Sequence, residues 1–133
     1  MLFVGDVVGP AGCSAVLDLV PKLREELSPD AVVANAENSA PTGRGITRES
    51  GSALLSVADF LTLGNHAFDA EGYREFLDET DRVVRPANFG EKDLGLGLGV
   101  RHAVSLLEAL RGLRGRHRRH VHRVLAEGHR GAR

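Results

Sequence analysis

The chain has one cysteine, Cys13, so no internal disulfide can form, and a lone thiol fits a reducing cytoplasm. It has no apolar run near the roughly 20 residues needed to cross a bilayer. The first residues, MLFVGDVVG, carry no basic lead-in and only a short apolar segment, so they do not read as a secretory signal. A soluble, cytoplasmic protein with no membrane partner is the expectation. No internal repeat is evident. Several catalytic signatures are missing as well. Gly5-x-x-x-Gly9-x-x-Gly12 lacks the Gly-Lys-Ser/Thr ending of a phosphate-cradling loop. Gly95-x-Gly97-x-Gly99 has the wrong spacing for a dinucleotide fingerprint and no clear acidic partner after it. There is no Gly-x-Ser-x-Gly elbow and no cysteine pair for zinc. Cys13 follows Gly12 at an expected helix start, where a thiolate could be favoured. With no histidine or base close in sequence, it reads as a small packing residue.

What is present has a clear rhythm over the first 92 of 133 residues, the length of one ordinary domain. Strands are expected near residues 2–5, 31–35 and 60–64, with a fourth short one beginning at Val83-Val84. Between the first two, Val16, Leu19, Val20, Leu23 and Leu27 recur at helical spacing. Pro10 suits that helix's start and Ser28-Pro29 its stop. A second helix is expected from about Thr47, with Leu54, Leu55 and Val57 on its inner side. A third carries Tyr73, Phe76 and Leu77, with Asp69 as its N-cap. Strand alternating with helix argues for an α/β fold with a largely parallel sheet and right-handed crossovers.

The strand ends carry the chemistry. Three successive strands stop in Gly5-Asp6, Glu37-Asn38 and Gly64-Asn65-His66. In open α/β sheets, ligands sit outside the carboxyl ends of the strands. Parallel neighbouring strands would therefore bring Asp6, Glu37, Asn38, Asn65 and His66 to one edge. Two carboxylates and two amides are hard oxygen donors, and a carboxylate such as Glu37 can bridge two cations. Crowded carboxylates repel one another, and cations resolve that repulsion. Taken singly, each of these residues is also a defensible turn or cap residue.

The segments LFVGDVVGPAG, ANAENSAPTGRGIT, LTLGNHAFD and VVRPANF, in that order, resemble the YmdB-type bacterial metallophosphoesterases of the calcineurin-like phosphoesterase superfamily. The resemblance covers residues 1 to about 90, the first part of that family's domain. It implies a sandwich of two β-sheets flanked by helices. It also implies a dinuclear centre of divalent metal ions, often iron and alternatively manganese. The implied reaction is hydrolysis of small phosphodiesters such as 2',3'-cyclic nucleotides. Carried over by matching motif, Asp6 and Asn38 would bind the first metal, Glu37 would bridge both, and Asn65 would bind the second. His66 would be the proton donor to the leaving oxygen. Two cations about 4 Å apart would polarise the phosphoryl oxygens, and an imidazole can protonate a departing ribose oxygen near neutral pH. Arg44, between Gly43 and Gly45, reads as a solvated loop arginine in preference to a substrate-phosphate partner. Arg85 and Asn88 match the family pattern without an assigned role.

Residues 93–133 depart from that pattern. Residues 1–92 carry 8 Lys+Arg against 15 Asp+Glu, whereas 93–133 carry nine arginines, no lysine and three acids, a swing from -7 to +6. Five of the six histidines also lie there. The family's later histidine segments, of the kinds Asp-Phe-His-Ala-Glu and Gly-Thr-His-Thr-His, are absent, and His120-Val-His122 sits in an arginine-rich context that does not replace them. The expectation is a partial metallophosphoesterase domain over 1–92, incomplete as a metal centre and inactive as it stands. A reading-frame artefact or recent frameshift would account for 93–133. The sheet's inner face would then lack a partner layer, which predicts poor solubility. The rival is a genuine basic tail with an amphipathic helix at Val104, Leu107, Leu110 and Leu113. Such a tail would bind nucleic acid, with strong salt dependence, or dock on a protein partner as a non-catalytic scaffold. No oligomeric state follows from the sequence.

Overall fold

The computed structural model describes residues 1–86, and the expectations placed on residues 93–133, the basic tail and its helix included, lie outside the described residues, as does Asn88. Four strands, β1 (Leu2–Val4), β2 (Val32–Asn35), β3 (Phe60–Thr62) and β4 (Val83–Val84), alternate with three helices, α1 (Gly9–Leu27), α2 (Arg48–Leu55) and α3 (Tyr73–Glu79). The strands lie side by side in chain order, and every neighbouring pair is parallel. Right-handed crossovers between strands laid down in that order put all the helices on one face. The α/β expectation holds, with β1, β2 and β3 each slightly shorter than the expected segments 2–5, 31–35 and 60–64 and β4 where it was expected.

Alternation along the strands decides what faces the helices. Leu2 and Val4, Val32 and Ala34, Leu61 and Val83 meet Val16 and Val20 of α1, Leu54 of α2 and Phe76 of α3 in one core. Phe3, Val33 and Phe60 share a register row on the other face. A second sheet of the implied sandwich is not among the described residues. Only part of the expected α1 stripe is buried: Val16 and Val20 are, whereas Leu19 and Leu27 are 53% and 55% exposed. The helix runs through Pro21 despite the lost N–H. Ser28 then ends it in the left-handed conformation, donating its N–H to the Arg24 carbonyl. Thr47 caps α2 in a reciprocal capping box with Ser50. Val57 lies beyond α2, in the turn that follows it. No helix among the described residues is long and apolar enough to cross a membrane.

Arginines tie the opposite, amino-terminal edge of the sheet together. Arg24 of α1 reaches Asp59 at 2.8 Å, and the same carboxylate accepts the Val32 N–H at 2.7 Å. Arg82 donates to the carbonyls of Asp59, Leu55 and Ala58 at 2.9, 3.0 and 2.6 Å. These bonds fix the turn from α2 into β3, and so the position of everything that follows β3.

Candidate active site

The parallel sheet delivers all three polar strand ends to its carboxyl edge. After β1, Asp6 adopts φ 46°, in the left-handed region. A short polar side chain tolerates that conformation better than most. Beyond it the chain follows the end of β2: the Val7 N–H donates to the Asn35 carbonyl at 3.0 Å, and the Gly9 N–H to the Asn38 carbonyl at 2.8 Å. This docking brings Asp6 against Asn38, whose Nδ2 donates to Asp6 Oδ1 at 2.7 Å. The other amide atom, Asn38 Oδ1, is buried and finds no donor among the described residues. A buried acceptor left without a partner costs about 1–3 kcal/mol.

Glu37 lies one residue earlier and reaches the other way, towards the loop after β3. Its Oε2 accepts the backbone N–H of His66 at 3.1 Å. Its carboxylate is seated against Gly64, where any Cβ would collide with both carboxylate oxygens. Glycine here makes room for a functional group, which is a stronger reason for it than turn formation. Asn65 and His66 follow in the turn, with Asn65 Nδ2 3.1 Å from His66 Nε2. The structure thus forms two contact groups, Asp6 with Asn38, and Glu37 with the Gly64–His66 turn, which consecutive residues Glu37 and Asn38 join.

The donor set fits hard divalent cations: two carboxylates and two amides, one of which, Asn38, has a buried oxygen with no donor among the described residues. Among the described residues no three His, Cys, Asp or Glu side chains cluster as a metal site by themselves. Any cation held here must therefore draw on the amide oxygens as well.

Two residues enter that the sequence reading placed elsewhere. Asp69 is not the cap of α3. Gly72 occupies that position in the left-handed conformation without a side-chain cap bond. The Asp69 carboxylate turns back instead, placing Oδ2 2.8 Å from His66 Nδ1 and 3.0 Å from Arg44 Nη2. Arg44 is presented by a loop in which Gly43 and Gly45 both have positive φ, 78° and 84°. The His66-x-x-Asp69 spacing was the available signal, since a single turn brings positions three apart together. Cys13 is buried in the core, its thiol 3.6 Å from the Ser39 carbonyl, and burial pushes its pKa up. It is a packing residue, as its sequence context suggests.

The family model described as YmdB-like protein matches residues 2–116, running past the described residues and into the 93–133 segment. The chain is 41% identical over 99 residues to the 2',3'-cyclic-nucleotide 2'-phosphodiesterase of Bacillus subtilis, a match covering 74% of this chain and 37% of that protein. A crystal structure of a hypothetical protein from Thermus thermophilus superposes with TM-score 0.62 at 38% identity, covering 73% of this chain and 36% of that one. A crystal structure of a novel phosphatase from Mycoplasma pneumoniae gives TM-score 0.65 at 28% identity, covering 73% and 35%. The chain thus spans little more than a third of the length of these relatives. A parallel sheet with Asp6, Glu37 and Gly64-Asn65-His66 on its carboxyl edge, matched by a family model over most of its length, makes this chain a member of the YmdB-like family.

Proposed function

We propose that the carboxyl edge formed by Asp6, Glu37, Asn38 and Asn65 is one part of a dinuclear metal centre that hydrolyses phosphodiesters, with 2',3'-cyclic nucleotides as the substrate class. Asp6 and Asn38 would hold the first divalent cation, Asn65 the second, and Glu37 both. The resemblance favours iron, with manganese the alternative, and the single buried thiol suits a cytoplasmic setting. When bound, such ions supply positive charge to the phosphoryl oxygens of the substrate. The chain's own residues provide the rest. Glu37 is held in place by the His66 N–H and by the space over Gly64. Asp6 is oriented by the Asn38 amide. The His66 side chain is 27% exposed, and it would hand a proton to a departing ribose oxygen.

The observation that carries this reading is Asn38 Oδ1, a buried acceptor without a donor beside a carboxylate. The experiment uses a version of this chain completed with the part of the Bacillus subtilis enzyme that it does not match. His66→Ala should lower turnover of a 2',3'-cyclic nucleotide about 100-fold or more, the scale of a positioned general acid, with metal content unchanged. Loss of the metal in His66→Ala would make His66 a ligand and overturn the assignment.

A further inference from the structure

We propose that Arg44 is a substrate-binding residue: it takes a non-bridging phosphoryl oxygen of the phosphodiester whose ester oxygen meets His66. This deepens, and rests on, the phosphodiester reading above. The backbone around Arg44 is fixed on both sides. The Gly45 N–H donates to the Glu37 carbonyl at 2.7 Å, the Ala40 N–H to the Gly45 carbonyl at 3.0 Å, and the Gly43 N–H to the Ala40 carbonyl at 2.8 Å. Thr42 Oγ1 donates to the Arg44 carbonyl at 3.1 Å. Gly45 also packs directly on Ala70, where an added Cβ would lie 2.5 Å from the Ala70 nitrogen. The loop is therefore tied to Glu37 on one side and to the residue after Asp69 on the other, and Arg44 is carried between them to the His66 ring.

The side chain is held by one nitrogen. Nη2 lies 3.0 Å from Asp69 Oδ2 and 3.1 Å from His66 Nδ1, whereas Nε and Nη1 meet no acceptor among the described residues. Arg24, Arg48 and Arg82 differ, since each commits two nitrogens to protein acceptors. An arginine that serves the fold spends its fork on protein. Arg44 keeps most of its fork, and its side chain is 64% exposed. The tether to Asp69 also removes freedom that a ligand would otherwise have to take away. Non-bridging oxygens sit one bond from phosphorus, as the ester oxygen does. A donor beside the His66 ring therefore reaches them when the ring reaches the ester oxygen. They are charged acceptors of the kind a guanidinium binds best, and arginine stays charged at every pH where turnover would be measured.

The test is arginine labelling of the unaltered chain with phenylglyoxal, read residue by residue by mass spectrometry, with uridine 2',3'-cyclic phosphate as the probe. With the nucleotide at about ten times its dissociation constant, labelling of Arg44 should slow about tenfold, as occupancy requires. Arg48, which is exposed and paired with Glu79, should keep its rate. Uridine without phosphate should leave Arg44 unshielded. An Arg44 rate that the nucleotide does not change, or that uridine slows equally, overturns the proposal. In the completed chain used above, Arg44→Ala should raise KM about tenfold or more, the size of a hydrogen bond to a charged group. Arg44→Lys should recover part of that loss. A fall in kcat with KM unchanged also overturns the proposal, because Arg44 would then act through Asp69 and His66. The labelling reads contact with the phosphate and not turnover, so it stands or falls separately from the His66→Ala test of the proton donor.

Discussion

At the scale of single residues, the site is built from atoms whose partners are specified one by one. Gly64 leaves the volume that the Glu37 carboxylate fills, and Asn38 divides its amide between Asp6 and an open acceptor. These roles were legible only in outline. Residue types at three strand ends identify candidate oxygen donors, but Asp69 and Arg44 are placed by a turn and a loop whose geometry depends on what they pack against. Cys13 shows the reverse case, since its burial follows from its place on the inner side of α1. That burial has a consequence with pH. The folded-state thiol pKa lies above its ordinary value of 9.0, so the charged form is disfavoured in the native state. Its contribution to stability is fully present below that value and is lost as pH rises through the folded pKa. The unfolding midpoint of the unaltered chain should therefore fall more steeply above about pH 9 than that of Cys13→Ser. Parallel pH profiles for the two chains would contradict it.

At the scale of elements, strands and helices were readable because apolar runs and helical periods survive into the fold. β1, β2, β3 and β4 lie within the expected segments, and Ser28-Pro29 ends α1 where chain chemistry says it should. What the pattern did not contain is the set of ties between elements distant in sequence. Arg24 and Asp59 are 35 residues apart, and Arg82 meets the Asp59 carbonyl across 23. No local periodicity encodes such pairs. Arg82 uses its planar fork to satisfy three carbonyls, which a lysine's single ammonium cannot span in the same way. Arg82→Lys should therefore lose about 1–3 kcal/mol of unfolding free energy, read from the urea midpoint. A change within about 0.5 kcal/mol, ordinary for a surface site, would show that these bonds contribute little. Because Arg82 fixes the turn into β3, its loss should also loosen the Gly64–His66 turn at the other end of that strand.

At the scale of the whole molecule, the described residues supply one layer of helices, one parallel sheet and the carboxyl edge proposed to hold metal. The matched segment is little more than a third of each relative's length, and the family match continues to residue 116. Residues 93–133 nevertheless show the charge reversal, and lack the histidine segments, on which the frame-change proposal stands. Translating the underlying DNA in the other two frames downstream of Lys92 tests it. One frame should restore Asp-Phe-His and Gly-Thr-His-x-His segments. If neither does, and the chain is expressed intact with its arginine-rich end, the segment is genuine and the proposal fails. The claim that this edge holds metal is tested apart from that outcome, because Asp6, Glu37, Asn38 and Asn65 all lie among the described residues. It is tested most directly by titrating the purified chain, Glu37→Ala and His66→Ala with Mn²⁺ and counting bound ions by the loss of the free-ion paramagnetic resonance signal. Saturable binding by the unaltered chain and by His66→Ala, weakened about tenfold or more in Glu37→Ala, is the predicted result, since second-sphere or ligand loss at metal sites has effects of at least that size. Binding by Glu37→Ala as tight as that of the unaltered chain would contradict the assignment of this edge as a metal centre.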